Sequence, residues 1–238
     1  MKKVEKKRLE RVFFCLYAIS ALILIAGINR LWRSELLRAP VLDVLRVCDL
    51  NVMFIFAPLC AIWLAFLLYF CKGHRNLLTL LTFIFGTYML GVGFGMHEPF
   101  NVTRTIYGKE MTEGIKKTAE FMDDGLGHWT FFVGFVLLSL SIVLAELKNP
   151  FSEKIPVFKV AVSTILGLIT GFVIYMNMAW EKTAFDLAVI ACCLALVFLF
   201  KLRYGNPQFS RIPMTYTLCL SYGLGLGATL IHGLVQAG

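Results

Sequence analysis

Seven stretches of this chain are each apolar over about 20 residues, the length a helix needs to cross the hydrocarbon core of a bilayer. They run roughly over 12–29, 50–71, 77–97, 126–147, 157–179, 183–203 and 213–235. Lipid offers no hydrogen-bond partner to a bare peptide group, and a single apolar segment satisfies its own backbone only as a helix. The pattern predicts an all-α fold: a polytopic integral membrane protein, a seven-transmembrane-helix bundle forming one domain over residues 1–238. A mean hydropathy of +0.75 and a hydrophobic share of 58% exclude an ordinary soluble domain.

The basic N-terminus, Met1 to Arg8, followed by apolar Val12 to Ile28, has the outline of a signal peptide. No small-residue cleavage site follows, so it is expected to stay as the first span. The Lys and Arg residues lie at span borders, not in one patch. They read as topology signals and contacts to membrane lipids, with no nucleic acid as a partner. Fourteen fall on the side of the N-terminus and nine on the other. The bias places the N-terminus in the cytoplasm and the C-terminus outside, in a multi-pass protein of the cell membrane. The seven cysteines lie in or beside apolar spans without a CxxC spacing, which suits packing better than disulfides or a thiolate metal site.

Two stretches between spans are not long enough to cross. Leu31 to Val47 alternates Arg with Leu and Val, as a segment lying on the outer interface would. Over 109–123, Met111, Ile115, Ala119 and Met122 recur at helical spacing opposite a charged face, which predicts an interfacial amphipathic helix. Glycines four apart, Gly91 with Gly95, Gly167 with Gly171 and Gly223 with Gly227, mark faces where helices approach closely.

The span count brings one set of polar residues to one membrane face. His97, Glu98 and Asn101 leave the third span, and Asp123, Asp124 and His128 enter the fourth. Asn177 and Glu181 end the fifth, Asp186 lies one turn into the sixth, and His232 and Gln236 end the seventh. Ionisable groups at such positions are costly and face a protein interior or a water-filled cavity. Imidazoles and carboxylates collected this way suit a divalent metal, zinc first and iron second. The expected ligands are His97, His128 and His232. Glu98 or Asp124 would be a fourth ligand or general base, and Asp123, Asn177, Glu181 and Asp186 would orient the imidazoles. Simpler roles compete: His97 and Glu98 precede Pro99 and suit a helix end, and Asp123 or Asp124 suits a helix cap.

The general plan resembles that of seven-span membrane hydrolases related to alkaline ceramidases and adiponectin receptors. That resemblance implies zinc held by three histidines inside the bundle. Those proteins pair two histidines four residues apart on the last helix, whereas His232 is followed at that spacing by Gln236. No residue role is carried over.

Three functions follow as expectations. The favoured one is a metal-dependent membrane hydrolase that opens a lipid-like ester or amide in a hydrophobic small-molecule substrate. The second is an ion- or proton-coupled transporter. The third is a b-type heme protein using two of the histidines as axial ligands.

Overall fold

The computed structural model describes residues 3–31, 35–39, 41, 45–181 and 184–237. Seven helices in it are long and apolar enough to cross a membrane, and the protein is a multi-pass membrane protein with a seven-helix bundle. We label them α1 (Lys3–Leu31), α2 (Val47–Phe70), α3 (Leu77–Tyr107), α4 (Glu113–Lys148), α5 (Val157–Glu181), α6 (Ala184–Arg203) and α7 (Pro213–Ala237). Parts of the 31–47 segment lie outside the described residues. The rest includes a single helical turn, Glu35–Arg38.

α1 starts at Lys3 and α2 at Val47, earlier than the sequence reading places them, and two further boundaries differ beside the polar cluster. The third span does not stop at Pro99: α3 continues through it to Tyr107. Proline removes one N–H and crowds the carbonyl four residues back, but it does not end a helix that packing holds on both sides. The amphipathic stretch 109–123 is continuous with the fourth span. Its helical part, Glu113–Glu120, continues through a π-helical segment, Phe121–Gly127, directly into the fourth span. A second π-helical segment, Val52–Phe56, sits in α2. Such wider turns are often found at functional sites, and Asp123, Asp124 and Gly127 all lie in the first of them.

One end of the bundle is closed by polar ties to helix termini. The buried Glu146 carboxylate accepts from the Met214 and Thr215 backbone N–H groups at 3.0 and 2.7 Å and from the Thr215 hydroxyl at 2.8 Å. It thus caps α7 from α4, satisfying donors that the first turn of a helix leaves open. Arg8 donates to the carbonyls of Phe70 at 3.0 Å and Asn149 at 2.6 Å, binding the ends of α2 and α4 to α1. Leu9, Phe13, Leu67, Leu138, Ile142 and Phe151 form the packed apolar core beneath.

The two most extensive helix contacts are α3 with α4 and α5 with α7. The first is backbone against backbone. A Cβ on Gly93 would stand 2.4 Å from the Phe131 backbone nitrogen, and one on Gly134 would stand 2.4 Å from that of Leu90. No side chain fits there. The glycine pattern is therefore only partly as expected. Gly167 and Gly171 do meet α7, but Gly91, Gly95, Gly223 and Gly227 face open space, and Gly93 and Gly134 set the closest approach. The i,i+4 pairing marks a helix face but not which face has a neighbour.

This gives a paired test. Gly93→Ala and Gly134→Ala should each destabilise the detergent-purified protein by about 1–3 kcal/mol through overpacking. Gly91→Ala should be neutral or stabilising by up to about 1 kcal/mol, because alanine favours the helix and meets nothing. Thermal unfolding of the three variants beside the parent reads the difference in sign.

Candidate active site in an apolar cavity

The close approach of α3 and α4 fixes the positions of two histidines. Gly127 lies against the His97 backbone, where a Cβ would come within 3.0 Å of the His97 nitrogen. The next residue, His128, therefore sits beside His97, and the two rings meet edge to face with centroids 4.6 Å apart. Both are buried.

Each imidazole has a buried carboxylate at Nδ1. His97 Nδ1 lies 2.5 Å from Asp123 Oδ1, an ion-pair contact whose approach is out of line for an ordinary hydrogen bond. His128 Nδ1 lies 3.4 Å from Asp186 Oδ2, across from α4 to α6. With the carboxylate ionised, the Asp186 contact favours the proton on His128 Nδ1 and leaves Nε2 as its reactive nitrogen. Arg104, one turn and a half beyond Glu98 on α3, completes the group. Its Nη1 stands 3.2 Å from Asp123 Oδ2 and 2.5 Å from Asp124 Oδ2. Asp123 is thus shared between an imidazole and a guanidinium, whereas Asp124 is an exposed partner of Arg104 alone.

A third carboxylate, Glu98, is fully buried. Its charge acts on Arg46, at the start of α2. Arg46 donates to both carboxylate oxygens of Asp49, at 2.8 and 3.0 Å, and this bidentate bond raises its hold on its proton, to which Glu98 adds. Asn29 of α1 donates to the Cys48 carbonyl at 2.8 Å and accepts from Asn51 at 3.1 Å. These ties bring α1 and α2 into the same end of the bundle. Sequence reasoning missed Arg46, Asp49, Asn29 and Arg104. The signal for Asp49 was a carboxylate at the mouth of an apolar span, which a boundary drawn at residue 50 left outside.

Below this layer lies a cavity of about 300 Å³. Among the described residues, His97, Glu98 and His128 are its only His, Asp, Glu, Lys or Arg lining residues, and all three are at one end. The walls are apolar except for Thr170 and come from α1 to α6, with Phe94, Phe131, Phe132 and Phe135 prominent. His232 does not line it. It is partly buried on α7, where Nδ1 meets the Tyr175 hydroxyl at 3.2 Å and Nε2 meets Gln236 at 2.9 Å. Of the expected ligands, then, His97 and His128 are together and His232 is engaged elsewhere. Asp123 lies beside His97 and Asp186 beside His128. The side chains of Asn177 and Glu181 lie outside the described residues. Among the described residues, no three His, Cys, Asp or Glu side chains form a group able to hold a metal ion. No family model, curated protein or solved structure matches the chain.

The two neighbouring aspartates should behave differently. Asp123→Asn strips a buried partner from His97 and Arg104 and should cost about 3–5 kcal/mol. Asp124→Asn removes an exposed pair and should cost under about 1 kcal/mol. Thermal unfolding in detergent, repeated at high salt, separates them, since only the exposed pair is well screened.

Proposed function

We propose that this protein is a membrane enzyme that hydrolyses a lipid-like ester or amide. The substrate's apolar part would lie in the cavity and its carbonyl would meet His97, Glu98 and His128. The observation that carries the reading is the cavity itself: an apolar pocket within the spans, with imidazoles and a carboxylate at one end only. Ligand sites have this character, mostly apolar with a few convergent polar groups. The apolar walls also favour an enzyme over a conduit, because a path for ions or protons needs polar groups along its length. The 4.6 Å between ring centroids leaves no space for a porphyrin, which disfavours the heme reading.

Two imidazoles side by side supply a base and an acid. Nε2 of the neutral ring takes a proton from water as the water oxygen bonds to the substrate carbonyl carbon. The neighbouring imidazolium returns a proton to the leaving oxygen or nitrogen as the carbon–heteroatom bond breaks. Asp186 holds the Nδ1–H of His128, and the Asp123 and Asp186 carboxylates beside the rings stabilise whichever ring is charged. The Lys and Arg bias favours the His97 end facing outward.

A second reading keeps a divalent ion, zinc or iron, at the imidazoles. It is favoured by the carboxylate on each Nδ1, the arrangement that orients metal-binding histidines. Because the described residues form no three-ligand group, the steps above rest on the chain's own acids and bases.

The test is turnover of a dodecanoyl nitrophenyl ester and a dodecanoyl anilide by purified protein in lipid nanodiscs. His97→Ala and His128→Ala should each lower kcat/KM by about 100- to 10,000-fold with the fold intact, the range for loss of a general acid or base. His232→Ala should stay near the parent. Unchanged hydrolysis in both cavity variants contradicts the reading. About one zinc or iron per chain, lost in those two variants and kept in His232→Ala, moves it to the metal form.

A further inference from the structure

We infer that the cavity is a measuring pocket for one hydrocarbon chain of about twelve carbons, closed at its far end by Leu138, Ile19 and Leu64. This rests on the function proposed above and adds the class of substrate: a single-chain acyl compound, not a two-chain lipid.

Depth comes from the helices. On α4 the lining runs from His128 to Leu138, which at the helical rise is about 15 Å. α1 lines it from Gly27 down to Ile19, and α2 from Val52 down to Leu64, so the three helices bracket a depth of about 12 to 18 Å. The cavity volume of about 300 Å³ limits the occupant to one chain of matching length. A buried apolar cavity of roughly 150 Å³ accepts benzene, so twice that volume corresponds to roughly twelve carbons.

The floor is rigid for a stated reason. Leu138 is 1% exposed and belongs to the packed core with Leu67, Ile142 and Phe151, while Ile19 and Leu64 pack against that core. Interiors at this density do not open to admit further methylenes without displacing side chains. The polar end is equally fixed, because His97 and His128 are tied by buried carboxylates. A chain held at the polar end therefore meets a stop.

In a bilayer this stop should act in one direction. A chain is as comfortable among lipid tails as among leucines, so a shorter chain forfeits little by leaving the cavity part empty. A longer chain must force the floor. The experiment is displacement of tritiated dodecanamide from the protein in nanodiscs by octanamide, dodecanamide and hexadecanamide. The bound label is recovered and checked as intact amide, so binding is read apart from turnover. Octanamide should compete within about threefold of dodecanamide, and hexadecanamide should be weaker by roughly tenfold or more. Leu138→Ala should restore hexadecanamide. Ile19→Ala, at a less deeply packed position, should do the same should Leu138→Ala not fold. Hexadecanamide competing as well as dodecanamide in the parent overturns the measuring pocket and leaves the proposed function standing. Absence of saturable dodecanamide binding overturns both.

Discussion

The contact on which the rest depends is the backbone-to-backbone packing of α3 against α4. Gly93 and Gly134 remove the side chains that would hold the two helices apart, and Gly127 brings the start of α4 onto the backbone at His97. In lipid, helices gain little from hydrophobicity when they associate, and close van der Waals contact takes its place. Here that contact also decides chemistry. It puts His97 beside His128 and brings Asp123 within reach of both His97 and Arg104.

The polar layer above the cavity would be prohibitively unstable if its charges were unpaired. It is built as a chain of shared partners instead: Arg104 with two aspartates, Asp123 also with His97, and His128 with Asp186 from α6. Arg46 and Asp49 add a second pair near Glu98 from the α2 side. Three helices, α3, α4 and α6, are thereby tied at one end by charge. The opposite end is tied by hydrogen bonds from backbone groups to Glu146 and from Arg8 to carbonyls. Between the two ends the bundle is free to leave an apolar cavity.

The fold was legible because the constraint on it is severe. Lipid admits only helices of sufficient length, so apolar run lengths alone give seven spans. Boundaries at the His97 end were not legible. A run-length argument stops at Pro99, and nothing local says that packing carries α3 to Tyr107. It also separates residues 109–123 from α4, since charge on a helix reads the same whether the helix lies on the interface or extends a span. For the site, span counting brought His97, Asp123, His128 and Asp186 to one end, and these do meet. It put His232 at that same end but says nothing about which helix face points inward, and His232 turns to Tyr175. Arg104 and Asp49 were passed over as border charges because their partners are distant in sequence or were assigned to a loop.

The central claim is that an apolar molecule occupies the interior cavity beneath His97 and His128. The most direct measurement is photolabelling in nanodiscs with dodecanamide carrying a diazirine midway along its chain, followed by mapping of the labelled residues. The account predicts labels on Phe131, Phe135 and Ile23, displaced by excess unlabelled dodecanamide. Labels confined to lipid-facing positions such as Ile84 and Tyr88, and not displaced, would contradict it.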